Sequence, residues 1–377
     1  MTITKVTDAG LDRSRIVTPL IINGDMSVAQ RSTSVTGVGD GDTGYHTLDR
    51  WRFSEGGDNS TVFTMSQDTN VPTGQGFAKS LKMDVTTADG SPGSSDSMFL
   101  QQRFEGQNLQ LLKKGTSSAE KITVAFWVSS SKTGTYILEL QDSDNTRNCS
   151  QSYTISSADT WEKKVVVFPA DTTGAIDNDN ANSFEVNWWL LAGTDFTSGT
   201  LATSFASRTN ANRAVGQVNV GDNTSNNFYM TGCQMEIGEF DTNTIPDFPF
   251  ESFENNLLKC QRYFETFPSN DGDGVIGFGY GSGSDTARTM FPFKVTKRAA
   301  PTMSDSLSSS RQYRINFING SGTASNQNST STPSFGTIST LNSGYMNLAG
   351  FSSIGGGLFG FLIYNNNTTL LSADAEL

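Results

Sequence analysis

ITVAFWV (residues 122–128) and FEVNWWLL (residues 184–191) decide the fold. In the first, Ile122, Val124, Phe126 and Val128 fall on one face of an extended chain, while Ala125 and Trp127 make the other face partly apolar. In the second, Phe184, Val186, Trp188 and Leu190 alternate with Glu185, Asn187 and Trp189. A period of two is the signature of a half-buried β-strand. YILEL (136–140) and FYMTGCQMEI (228–237) repeat it, as do STVFTMS, KSLKMDV, SMFLQQRF and KKVVVFP. Strands this short, with turn residues at most boundaries, predict antiparallel sheets stacked as a sandwich. No strand–helix–strand rhythm is present, which excludes a dinucleotide-binding fold.

The composition agrees. Thirty-seven Gly among 377 residues, with abundant Ser, Thr, Asn and Asp, imply many turns, and 25 Phe with 5 Trp supply the cores. The net charge is −12, with no Lys/Arg block, which disfavours a nucleic-acid partner. The chain shows no signal peptide and no run of about 18 apolar residues, so no membrane insertion is expected. Cys149, Cys233 and Cys260 are widely spaced and odd in number, and read as small buried hydrophobes.

One segment breaks the β pattern. In ESFENNLLKCQRYFE (251–265), Phe253, Leu257, Cys260 and Phe264 form the stripe of an amphipathic helix, with Pro268 beyond it. TIPDFPFE, upstream, reads as a stiff connector. The β pattern resumes in TMFPFKV, YRINFI, YMNLAGF and LFGFLIY. The expected architecture is all-β: a jelly-roll β-sandwich at 19–250, a connector helix at 251–267 and a smaller C-terminal β-sandwich at 268–377, preceded by a segment at 1–18. The Asn/Ser/Gly/Thr-rich tract Asn319 to Ser334 is expected to be a surface loop.

Catalytic signatures are few. The sole histidine, His46, has no Ser or Cys motif to partner it and three-histidine metal sites are impossible. GFGYGSGS (277–284) lacks the strand–helix setting of a phosphate loop. A glycosidase needs only two carboxylates, and Asp49, Glu105, Glu139, Glu185 and Glu236 lie in or beside strands. In DTTGAIDNDNAN (171–182), Asp177 and Asp179 with Asn180 or Asn182 could supply oxygens to a structural calcium, the one cofactor the sequence suggests. The pattern equally describes a solvated loop of Asx turns.

Exposed aromatic rings stack on the apolar faces of sugars while polar neighbours bond the hydroxyls. Tyr45, Trp51, Trp127, Trp189 and Tyr229 are candidates, with Asp49 or Asn187 as hydrogen-bonding neighbours. Trp189 and Trp51 are the favoured pair. Trp189 lies opposite the apolar face of its strand, which would place it outside the core.

IINGDMSVAQRST, HTLDRWRF, LQQRFEGQNLQLLKKGTSSAEKITVAFWV, FPADTTGAIDNDNANSF, GCQMEIGEFDTNTIPDFPFESFENNLLKCQRYF and PFKVTKRAAPTM, in that order, resemble a family of phage-encoded virion proteins. They are common in marine and cyanobacterial phages and are described as tail-fibre or other structural proteins. FYMTGCQMEIGEF is also similar to the closing strand of jelly-roll modules that bind carbohydrate. The resemblance implies a tail fibre or adhesion appendage that binds host-surface polysaccharide without catalysis, assembled into the virion in the infected bacterial cytoplasm. Residues 1–18 would attach to other virion proteins. It also implies a homotrimer, with Phe253, Leu257, Cys260 and Phe264 near the threefold axis or a neighbouring chain; the alternative is that this stripe packs on its own domain. A capsid decoration protein and a glycan-degrading tail spike are the alternatives.

Overall fold

The computed structural model describes residues 19–268, 275–305, 313–318, 324–329, 333–335, 339–351, 354, 359–364 and 370–377. The segment 1–18, expected to be an attachment end, lies outside them. The first body contains β1 (Ser34–Gly39), β2 (Arg52–Gly56), β3 (Val62–Asp68), β4 (Ser80–Thr87), β5 (Ser97–Glu105) and β6 (Ile122–Ser130). It continues with β7 (Gly134–Asp142), β8 (Arg147–Ile155), β9 (Glu162–Phe168), β10 (Asn182–Ala192), β11 (Ala206–Ser207) and β12 (Asn227–Ile237). A short helix, α1 (Thr194–Thr197), follows β10.

These strands form two six-stranded antiparallel sheets, ordered β1-β3-β4-β12-β6-β9 and β11-β8-β7-β10-β5-β2. The alternation read from β6 and β10 is what joins them. Ile122, Val124, Phe126 and Val128 from one sheet meet Phe184, Val186, Trp188 and Leu190 from the other in one core. Trp188 is its centre: its ring lies 5.3 Å from Trp51 and 5.8 Å from Phe126 between centroids. Cys149, Cys233 and Cys260 are buried free thiols.

The connecting helix, α2 (Phe253–Gln261), is shorter than its apolar period predicts. Ser252 caps it, its Oγ accepting from the Asn255 N–H at 3.3 Å. Its buried residues are Asn256, Cys260 and Gln261. Asn256 Oδ1 accepts from the Asn23 N–H at 3.1 Å, so the helix pins the Asn-Gly-Asp turn near the start of the chain.

The expected threefold stripe is therefore corrected. Cys260 is buried, and Phe264 lies beyond the helix in a strand, under the Arg31 guanidinium at 3.5 Å from its ring centroid. Leu257 is partly buried, and Phe253 alone of the four stays largely exposed, at 52 %. The stripe fails because the chain leaves the helix after Gln261 to enter a sheet.

The second body comprises β13 (Phe264–Pro268), β14 (Val275–Gly281), β15 (Ala287–Pro292), β16 (Thr302–Asp305) and β17 (Tyr313–Ile318). It is completed by β18 (Ala324–Asn328), β19 (Ser334–Phe335), β20 (Ser343–Leu348), β21 (Phe359–Tyr364) and β22 (Leu370–Asp374). A three-stranded sheet, β13-β22-β16, and a seven-stranded sheet, β18-β17-β21-β14-β15-β20-β19, enclose a core of Phe267, Phe291, Tyr313, Ile315, Met346 and Leu362, among others. The chain is thus all-β, a jelly-roll sandwich and a second, smaller sandwich joined by one short helix. The tract expected to be a loop contains β18, paired antiparallel to β17 from Asn328 opposite Arg314 to Ala324 opposite Ile318. β18 is the edge strand of the seven-stranded sheet, so this part of the tract is strand and not loop. Among the described residues no helix is long and apolar enough to cross a membrane.

Candidate functional site

The favoured aromatic pair has no free ring face. Trp51 is fully buried, its Nε1 donating to the Asn23 carbonyl at 2.9 Å. Trp189 is on the outer face of its sheet, as the alternation requires, yet it too is fully buried. The segment after β10 folds over it: its ring packs against Phe99 at 5.0 Å and Phe196 at 5.5 Å, with the Arg213 guanidinium 5.1 Å away. Both assignments as stacking rings are corrected for this reason.

Beneath the same cover lies a polar row. Glu139 accepts from Arg213 at 2.8 and 2.9 Å, from Asn187 at 3.2 Å and from Trp189 Nε1 at 3.2 Å. Glu185 accepts from Asn182 at 2.6 Å, Gln101 at 2.7 Å and Gln141 at 3.1 Å. Asn187 is fully buried and spends its side chain in this row. Buried carboxylates require such partners, and the network locks the loop to the sheet.

Asp49 is also buried. Its Oδ1 accepts from the Gln30 N–H at 2.9 Å and its Oδ2 from the Gln30 side chain. Burial raises its carboxyl from the ordinary 3.8 to about 6, against those hydrogen bonds, which lower it. The unfolded chain loses this proton first, so folded stability falls as pH rises from about 4 to about 6, then stays level. Asp49→Asn is expected to remove that decline in urea midpoints measured across the window. An unchanged slope would assign it to another group.

Tyr45 is partly buried and its hydroxyl, pushed up to about 12 by burial, donates to the Leu377 carbonyl at 3.4 Å. Tyr229 keeps a partly open ring beside Trp161, with centroids 6.1 Å apart and Lys82 Nζ 5.6 Å from it. Asp177 and Asp179 are exposed: the Asp177 backbone N–H donates to Asp144 in a separate turn, and Asp179 accepts from the Ala181 N–H within its own turn, both at 2.9 Å. No group of three or more His, Cys, Asp or Glu placed to hold a metal occurs among the described residues.

Of the carboxylates weighed for glycoside cleavage, Asp49, Glu139 and Glu185 are enclosed. Glu105 is buried too, and accepts from Arg262 at 2.8 and 2.6 Å and from the Tyr263 hydroxyl at 2.6 Å; although burial opposes it, these bonds hold its carboxyl below the usual range. Beside this group, an open cleft of about 870 Å³ runs between α2 and the end of β12, lined by Leu20, Leu111, Met235, Ile237 and Lys259 among others. Its charged rim is largely self-paired, through Lys113 with Glu120 at 2.6 Å and Lys259 with Glu251.

The open aromatic surface lies elsewhere, on the outer face of the seven-stranded sheet. Along β14 the sequence VIGFGYG sends Phe278 and Tyr280 outward and Gly277, Gly279 and Gly281 inward. In β21, Phe359 and Phe361 point outward and Gly360 inward. Phe278 is paired with Phe361 on one side and Met290 on the other; Tyr280 is paired with Phe359 and Arg288. The exposures are 58 % for Phe278, 50 % for Phe361, 79 % for Phe359 and 54 % for Met290. Ring centroids are 5.9 Å apart for Phe278–Phe361 and 6.1 Å for Tyr280–Phe359. Tyr345 stands opposite Met290, its hydroxyl 3.0 Å from Asn347 Oδ1.

The inward glycines are required by close approach. A Cβ on Gly277 would stand 2.4 Å from the Met290 carbonyl oxygen, and one on Gly360 2.5 Å from the Asn316 carbonyl oxygen. The usual arrangement, large side chains in and small ones out, is inverted. Its signal was present in the alternation of aromatic residues with Gly in FGYG and LFGF. A phosphate-loop pattern does not register it, because that pattern counts glycines and not what alternates with them.

No protein-family model matches the chain, and no curated protein matches it. Among solved structures, it is similar to the enzymatically active domain of tailspike protein 4 of bacteriophage CBA120, at 14 % identity and a TM-score of 0.27 over 50 % of this chain. That match spans 19 % of the tailspike chain. It is similar to the family 11 carbohydrate-binding module of cellulase Lic26A-Cel5E of Clostridium thermocellum, at 10 % identity and a TM-score of 0.27, over 52 % of this chain and 90 % of that one. It is also similar to TmCBM61, solved with β-1,4-galactotriose, at 12 % identity and a TM-score of 0.26, over 50 % and 88 %.

Proposed function

We propose that this chain is a non-catalytic glycan-binding appendage of a phage virion, and that the seven-stranded sheet of its second sandwich is the binding face. The inversion of β14 and β21 carries this assignment. Outward aromatic rings cost solvation in the unbound protein, and a surface patch of this kind marks a binding site. A row of exposed rings edged by Tyr, Asn and Arg suits a sugar chain, whose apolar faces stack while its hydroxyls bond the edge. The virion setting follows from the resemblance of the ordered segments to phage structural proteins. Attachment to host polysaccharide is the activity such an appendage would perform.

The test is the double variant Phe278→Ala with Phe361→Ala, applied as labelled protein to a glycan array. Its melting temperature is expected to stay close to the parent's, because exposed side chains contribute little to stability. Array binding is expected to fall at least tenfold. A parent that binds, with a variant that binds as well, would remove this face from recognition. A reducing-sugar assay on each bound glycan is expected to show no release, and steady release would restore the spike alternative.

A further inference from the structure

We infer that the glycan taken by this face carries carboxylate groups, and that Arg288 selects them; this rests on the glycan-binding function proposed above. The chain as a whole is acidic, with 38 Asp and Glu against 26 Lys and Arg. The outer face of the seven-stranded sheet departs from that balance. None of its described outward side chains on β14, β15, β20 and β21 is acidic; they include Phe278, Tyr280, Arg288, Met290, Tyr345 and Asn347. On β17 the outward positions are Arg314 and Asn316.

Arg288 is exposed and central to this arrangement, paired across the sheet with Tyr280 on β14 and Asn347 on β20. The neighbouring Tyr280, with Tyr345 beyond it, raises the guanidinium above its ordinary range. The register places this exposed cation beside the ring surface, next to Tyr280. A guanidinium presents paired N–H donors in a plane and matches a carboxylate through two parallel bonds. A sugar ring stacked on Tyr280 and Phe359 would bring a carboxylate on its rim within reach of that fork.

A neutral glycan could accept hydrogen bonds from the guanidinium but would leave its charge uncompensated. A second copy of this chain packed face to face across a twofold axis would bring the same acid-free surface opposite, leaving the arginines without an acidic partner. The charge pattern therefore favours an acidic sugar over self-association.

The full chain is tested on an array of uronic-acid oligosaccharides, each printed beside its carboxyl-reduced counterpart. Binding to an acidic member is expected to exceed binding to the reduced member at least tenfold and to weaken as salt rises. Arg288→Gln is expected to bring the acidic member down to the reduced level, Arg288→Lys to retain part of the difference, and both to melt with the parent. Equal binding to both members of every pair would overturn the selection of carboxylates while leaving glycan binding in place. Binding to no member would overturn both. Light scattering that showed dimers dissolved by Phe278→Ala would then identify a second copy as the occupant.

Discussion

Replacing Arg50 by Ala is expected to destabilise the folded chain by about 3–5 kcal/mol, the usual loss when one partner of a buried ion pair is removed. Arg50 is 1 % exposed and lies where the two sandwiches meet. Its Nη1 donates to the Glu376 carboxylate, its Nη2 to the Arg103 carbonyl at 2.5 Å, and its guanidinium lies 3.6 Å from the Tyr263 ring centroid. Burial alone would lower its pKa, but Glu376 beside it holds the group above its ordinary range. Glu376 is itself nearly enclosed, with Arg31 3.5 Å away as its second partner. Without Arg50 it becomes a buried charge with one long contact. Arg50→Lys should recover little, because an ammonium cannot span Glu376, the Arg103 carbonyl and the Tyr263 face together. Urea unfolding of both variants, with Glu376→Gln to complete a double-mutant cycle, measures the coupling. A loss below about 1 kcal/mol for Arg50→Ala would show that the pair is solvated like a surface bridge.

Trp189→Ala is expected to cost a similar amount, about 3–5 kcal/mol, as a large aromatic removed from a closed site. The variant loses ring contacts with Phe99 and Phe196 and leaves a lone pair on Glu139 without its indole donor. Trp189→Phe keeps much of the packing and should fall between the two. At temperatures where Trp189→Ala remains folded, its array binding should equal the parent's, since the ring never meets solvent. A lowered midpoint with intact binding therefore distinguishes a structural tryptophan from a stacking one. An unchanged midpoint with lost binding would return Trp189 to the site.

What the sequence alone determined was local. Alternation in ITVAFWV and FEVNWWLL was enough to assign strands and their inward residues, because a pleated strand sends neighbours to opposite faces whatever it packs against. The apolar spacing of Phe253, Leu257 and Cys260 placed a helix there for the same kind of reason, since residues three and four apart share one helix face. Tertiary structure decided what each outward face meets. Trp189 and Asn187 point outward as expected, but Arg213 and Phe196 close over them from a segment that follows their own strand. Phe264 continues the apolar period of α2, but its backbone pairs with Asp374, 110 positions along the chain, and that pairing ends the helix. The glycines of β14 face inward because the backbone of β15 and the side chains beyond it already fill that space. Periodicity reports the direction of a side chain and not the distance to the next layer, so burial and exposure on the second face had to await the packing.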